Sequence, residues 1–195
     1  MELSRQSVKG EHKKYVISGI QGSGKTYLSQ WISSLYHTVH VYTPHWQEWE
    51  KIDVTVFKPT DYVDDFQFWL KIMKRGRGKI DCLIIDEADM LFRSHFDSSP
   101  DLRDLVINHR HYGISLVFIT RRPQNIPTWI FEQCEYVATF KMEGVNVVKK
   151  FGDLDHRIPD LMDRIRYENH EFVIKKLGKP PVIAKIQDKR LVEVR

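Results

Sequence analysis

The sequence predicts an α/β fold, a three-layer arrangement of helices around a mainly parallel sheet. In "YVISGIQGSGKTYLSQWI", Tyr15 to Ile32, β-favouring residues pass through a glycine-spaced loop into a helix-like segment with apolar residues at Leu28, Trp31 and Ile32. Strand-like and helix-like segments then alternate, the pattern of βα units. Finally, Cys82 to Ile85 is a continuous apolar run, as a strand buried on both faces requires.

Taken in order, residues 14–18 form a strand feeding the glycine loop, and residues 25–36 leave it as a helix. Short β-branched runs at 39–43 and 54–57 read as strands, and 61–74 as a helix. A strand at 82–86 is followed by a helix at 100–112. A strand at 116–120, a short helix at 128–133 and a strand at 136–140 complete a core of about residues 13–142. In the tail, covering about 153–187, "DHRIPDLMDRIR" reads as a short helix and "EFVIKKLGKPPVIAKI" as a hairpin turning at Gly178-Lys179-Pro180, which adds antiparallel strands at one sheet edge. Residues 1–195 are expected to form a single domain.

Composition narrows the class. With 42% hydrophobic and 29% charged residues, disorder and fibrous structure are excluded. The 30 basic and 26 acidic residues leave +4 with neutral histidine, which permits a nucleic-acid partner without demanding one. Cys82 and Cys134 each sit in an apolar stretch without ligand-spaced partners, against a disulfide framework or zinc site. The polar N-terminus and the lack of a long apolar run read as a soluble, intracellular protein that does not span a membrane.

Gly19, Ile20, Gln21, Gly22, Ser23, Gly24, Lys25 and Thr26 fit G-x-x-x-x-G-K-[ST], the phosphate-binding loop, with Tyr27 following. Its glycines let backbone N–H groups turn toward phosphate oxygens, aided by the positive end of the following helix. Lys25 would neutralise the terminal phosphates of ATP, and Thr26 would offer its hydroxyl to Mg²⁺. "CLIIDEADML" delivers Asp86 and Glu87 to the carboxyl end of a buried strand, where ligands of open α/β sheets bind. Asp86 would hold Mg²⁺ through water, and Glu87 would act as general base toward the attacking water. The strand ending at Thr120 carries Arg121 and Arg122 to the same end, as candidate γ-phosphate sensors.

Two aromatic and histidine clusters have plainer readings. Trp46 and Trp49 are three apart, a spacing commoner in cores than in base-stacking surfaces. The His109-Arg110-His111 run lacks a nearby third metal ligand.

The order GxxxxGKT, apolar strand with Asp-Glu, Arg-x-x-Gly-Ile, apolar strand, Thr-x-Arg-Pro and Asn-Ile-Pro resembles the FtsK/HerA superfamily of DNA-pumping ATPases. The short single-domain form is similar to the genome-packaging ATPases of tailless, membrane-containing double-stranded DNA viruses. The resemblance covers Tyr15 to about Met142 and extends to the closing hairpin. It implies a RecA/FtsK-like, additional-strand, catalytic-glutamate core, acting as a homo-oligomeric ring, commonly a hexamer, around double-stranded DNA. It also implies ATP hydrolysis with Mg²⁺, action in the host cytoplasm or at the virion packaging vertex, and capsid-vertex or membrane proteins as partners. Arg110 matches the family arginine before Gly-Ile and so takes the role of a trans-acting finger. The family usually has glutamine where this chain has Arg121, so either Arg121 senses the γ-phosphate or sensing has moved elsewhere.

The basic segment "KRGRGK", with Lys74, Arg75, Arg77 and Lys79, reads either as a DNA-backbone contact or as a solvated connector, and Arg93, after the acid pair, is a second DNA candidate. Two other functions stay open. "NHRHYG" resembles the zonular occludens toxin family of phage-assembly ATPases, although those carry a membrane span. A nucleotide-dependent binding module is the other, and Glu87 argues against it because a pure switch needs no base.

Overall fold

The computed structural model describes residues 11–75, with side chains to residue 72, and residues 80–92 and 100–194. Its strands are β1 (Lys14–Ser18), β2 (Val39–Tyr42), β3 (Thr55–Phe57), β4 (Cys82–Ile85), β5 (Ser115–Thr120), β6 (Tyr136–Thr139), β7 (Phe172–Lys176), β8 (Val182–Gln187) and β9 (Arg190–Glu193). The helices are α1 (Lys25–Ser33), α2 (Tyr62–Arg75), α3 (Pro100–Tyr112), α4 (Thr128–Gln133), α5 (Val145–Leu154) and α6 (Arg157–Arg164).

The strands form one sheet in the order β3-β2-β4-β5-β1-β6-β7-β8-β9. From β3 to β6 every pairing is parallel, and β7 to β9 continue antiparallel. Strand β5 lies between β1 and β4, so it separates the strand before the glycine loop from the strand before the acid pair. Every residue of β1, β4 and β5 is buried, which is why each holds an unbroken apolar run, Tyr15–Ile17, Cys82–Ile85 and Leu116–Ile119.

Alternation along the strands divides the core into two layers. Tyr15 and Ile17 face Leu28, Trp31 and Ile32 of α1, together with Trp49 of a 3₁₀ turn at Trp46–Trp49. Val16 faces the opposite layer, which draws Phe66 and Leu70 from α2, Leu105 and Val106 from α3, Ile130 from α4, Phe151 from α5 and Met162 from α6.

Most elements stand within a few residues of expectation, and the tail differs most. Where one short helix was expected, α5 and α6 both form. The expected hairpin gains a third strand, β9, whose backbone pairs with β8 from Ala184 to Gln187. Helix α5 buries Val147 and Phe151 but leaves Val145 85% exposed, so its apolar stripe is blurred in sequence. Helix α1 ends at Ser33, where the next three residues turn away toward β2.

Candidate functional site

In a parallel sheet the strands share one carboxyl edge, and four of them deliver polar residues there. Strand β1 runs into the glycine loop, β2 into Thr43 and His45, β4 into Asp86 and Glu87, and β5 into Arg121. The loop is tied to β5 by the Gly19 N–H, which donates to the Thr120 carbonyl at 3.3 Å. A Cβ on Gly19 would lie 2.5 Å from Ser23 Oγ, so the loop closes only with glycine there. Gly24, with φ 107°, caps α1 without any side-chain hydrogen bond, and the first turn of α1 holds no acid. The helix therefore presents unsatisfied N–H groups to an anion.

Lys25 is nearly buried, and its Nζ donates to the Ile20 carbonyl at 2.7 Å, folding the ammonium over the loop. Burial lowers its pKa, Arg121 pushes in the same direction, and Glu87 and Asp86 oppose them. Ser23 Oγ is buried within the loop without a hydrogen-bond partner. An open cleft of about 430 Å³ lies here, lined by Gly22, Gly24, Lys25, Thr26, Tyr27, Gln30 and Glu48.

Asp86 is 6% exposed. Thr43 Oγ1 donates to its Oδ2 at 2.8 Å, the Glu87 N–H donates to its Oδ1 at 3.0 Å, and the Tyr62 hydroxyl donates to its backbone carbonyl. Each carboxylate oxygen keeps a further lone pair, which a cation or its bound water could use. Burial raises the Asp86 pKa, partly offset by the Thr43 hydrogen bond.

Glu87 departs from the strand in a left-handed conformation, φ 52°, rare for a residue with a Cβ. This turn swings its carboxylate toward Arg121, whose Nε stands 2.7 Å from Oε1. The oxygen lies off the N–H direction, so the contact is an ion pair without a formed hydrogen bond. His45 Nε2 is 3.5 Å from the same oxygen. Burial, then the neighbouring Asp86 charge, raises the Glu87 pKa, while Arg121 lowers it. Thr120 Oγ1 donates to Asp89 Oδ1 at 2.8 Å and accepts the Arg122 N–H at 2.9 Å, which braces the end of β5 against the turn after β4.

The donors around this edge, the Thr26 hydroxyl and the Asp86 carboxylate, are hard oxygens of the kind Mg²⁺ takes. The buried lysine and free helix N-terminus beside them suit a polyphosphate.

Arg110 lies elsewhere. It lies in the last turn of α3 at the amino edge of the sheet, paired with Glu135 Oε1 at 2.6 Å, beside a larger cleft of about 580 Å³ that also includes Lys13, Tyr136 and Lys176. That cleft has neither a glycine loop nor a free helix N-terminus, so the smaller one is the better phosphate site. Arg110 is far from its own chain's loop, and any role at a nucleotide would be exerted on another copy. The Arg77, Lys79 and Arg93 positions, and the side chains of Lys74 and Arg75, lie outside the described residues. Trp49 is core, Trp46 sits under Lys58 Nζ at 5.3 Å, and the buried His109 donates through Nδ1 to the Ile114 carbonyl at 2.9 Å.

Sequence reasoning missed the residues that brace the loop from the tail. Tyr167 donates its hydroxyl to the Gln21 carbonyl at 3.3 Å, and His170 Nδ1 donates to the Ser23 carbonyl at 3.2 Å. The buried Glu171 holds this turn by accepting the Arg166 N–H at 2.9 Å. Glu48 and His45 were also missed, because nothing in "HWQEW" marks them locally.

A glycine loop before a helix, an acid pair on a separate strand and a strand inserted between them define a P-loop ATPase, an enzyme that hydrolyses ATP with Mg²⁺. More particularly, residues 9–124 match the AAA domain family, and the chain belongs to it. Among solved structures, the genome packaging NTPase B204 of Sulfolobus turreted icosahedral virus 2, bound to ATP-gammaS, is similar at TM-score 0.75 and 19% identity, over 89% of this chain and 97% of that one. B204 of Sulfolobus turreted icosahedral virus, a DNA-packaging ATPase, aligns at TM-score 0.74 and 17% identity over the same shares. The cytoplasmic domain of the type VII secretion ATPase EccC from Thermomonospora curvata reaches TM-score 0.59 at 12% identity, over 88% of this chain and 25% of that one. At these identities the likeness is one of fold. No curated protein sequence matches the chain.

Proposed function

We propose that this protein is an ATP-driven translocase of double-stranded DNA, working as one subunit of a homo-oligomeric ring, a hexamer, that packages a viral genome. The meeting of Lys25, Glu87 and Arg121 at one sheet edge carries this reading, on a fold similar to a genome packaging NTPase across 89% of the chain. The ring would act in the host cytoplasm at the packaging vertex, beside capsid-vertex or membrane proteins.

In this reading the loop N–H groups of residues 19–26 cradle the phosphates, and Lys25 exchanges its Ile20 carbonyl for a γ-phosphate oxygen. Thr26 and, through water, Asp86 would hold Mg²⁺, which when bound neutralises charge on the β- and γ-oxygens. Glu87 takes a proton from the attacking water, and its raised pKa makes it the stronger base. Arg121, already beside Glu87, is the cis group that reads the γ-phosphate. Arg110 supplies a cation to the neighbouring subunit's nucleotide.

The test is ATP hydrolysis with and without long double-stranded DNA, measured alongside the mass of the assembly. Stimulation by DNA in a ring-sized particle is expected. Hydrolysis indifferent to DNA in a monomer would overturn the translocase reading while leaving the ATPase intact. Neutralising Lys74, Arg75, Arg77 and Lys79 should flatten the salt dependence of DNA binding, and an unchanged slope would make that segment a connector.

A further inference from the structure

Thr26 Oγ1 donates its proton to Glu48 Oε2 at 2.7 Å. An ionised carboxylate only accepts, so the direction of this bond is set, and both lone pairs of the hydroxyl remain free. Glu48 is held in place on α1 by its backbone as well, since Gln30 Nε2, one turn beyond Thr26, donates to the Glu48 carbonyl at 2.7 Å. The 3₁₀ turn that carries it is anchored by Trp49, which is 1% exposed, and closed by the Glu48 N–H donating to the His45 carbonyl at 3.2 Å.

A hydroxyl that ligates a hard cation must use a lone pair and turn its hydrogen away. Without an acceptor its rotor is free, and part of the cation's affinity goes into orienting it. A carboxylate behind the hydroxyl removes that cost and makes the oxygen more electron-rich, as outer carboxylates do for metal-bound histidines.

We propose that Glu48 is a positioning residue for the nucleotide's Mg²⁺: it takes the Thr26 proton and so aims the Thr26 lone pairs into the cleft. The inference rests on the preceding reading of Thr26 as a Mg²⁺ ligand. The Glu48 side chain is exposed and its removal takes nothing from the core, so variants here should fold.

The experiment is equilibrium binding of a β,γ-methylene ATP analogue, first in EDTA and then across a Mg²⁺ titration, for the parent, Glu48→Gln, Glu48→Ala, Thr26→Ala and the Thr26→Ala/Glu48→Ala pair. Glu48→Ala should raise the Mg²⁺ midpoint by about 10- to 100-fold, with Glu48→Gln between it and the parent, while neither variant weakens binding in EDTA, since both remove a negative charge from the lining of the cleft. In the Thr26→Ala background the Glu48 substitution should add nothing further, because Glu48 acts through that hydroxyl. An unchanged midpoint in Glu48→Ala, or a further loss in the pair, overturns the proposal and leaves the ATPase reading standing. A parent that binds the analogue no better with Mg²⁺ overturns both.

Discussion

Nε of Arg121 stands 2.7 Å from Oε1 of Glu87, joining the end of β5 to the end of β4. Sheet register produces this contact: Ile85 pairs with Phe118, and the two charged residues lie just beyond the paired ends. The acid proposed as general base thus begins in contact with a cation.

Lys25 is the cation folded over the loop, so Lys25→Ala should reduce kcat/KM by on the order of 10²–10³-fold and abolish tight ATP binding. A folded variant, checked by circular dichroism, with near-parental hydrolysis would remove the loop from the chemistry.

Glu87→Gln keeps the shape and loses the base, so turnover should fall by about 10²–10⁴-fold while ATP binding persists. Filter binding of ATP beside a turnover assay separates the two. Burial and Asp86 raise the folded pKa of Glu87 above its unfolded value. Its contribution to stability is therefore full below the unfolded pKa and is lost as pH rises through the folded one. Glu87→Gln should accordingly melt higher than the parent at neutral pH, with the gap closing in acid.

Arg121 lowers the Glu87 pKa against the larger effect of burial. Because the base must be ionised, the acid limb of kcat should lie above the ordinary glutamate value. Arg121→Gln should move it further up. A pH profile with the same limb in both proteins would separate Arg121 from Glu87 in function.

Arg110 is a test of catalysis between subunits. Its pair with Glu135 is exposed on the arginine side, so losing it should cost only about 0–1 kcal/mol of stability. Arg110→Ala should bind ATP normally yet hydrolyse about 10³–10⁵-fold more slowly. Mixing it with Lys25→Ala subunits should recover activity, since one interface then joins an intact loop to an intact finger. Co-assembled mixtures with no recovery would refute the trans role.

His170 and Tyr167 hold two carbonyls of the loop from the tail. His170→Ala should weaken ATP binding by about 2- to 10-fold, the worth of one hydrogen bond, and Tyr167→Phe by less. Calorimetric titration would show it, and unchanged affinity in both would make the tail a bystander.

The sequence by itself determined what short-range chemistry encodes. Gly19 to Thr26 could be read because a backbone that wraps phosphate needs glycine at particular steps, and α3 and β1 because their periodicities run over consecutive residues. The acid pair was legible because a doubly buried strand leaves no polar residue until its end. Only the tertiary structure decided that β5 enters between β1 and β4, that Arg121 meets Glu87, and that Glu48, Tyr167 and His170 surround the loop. Thr26 and Glu48 are 22 residues apart, and Ser23 and His170 are 147 apart. Contacts at such separations arise from packing two layers on a sheet, and no local propensity of a lone glutamate or histidine announces which surface it will meet.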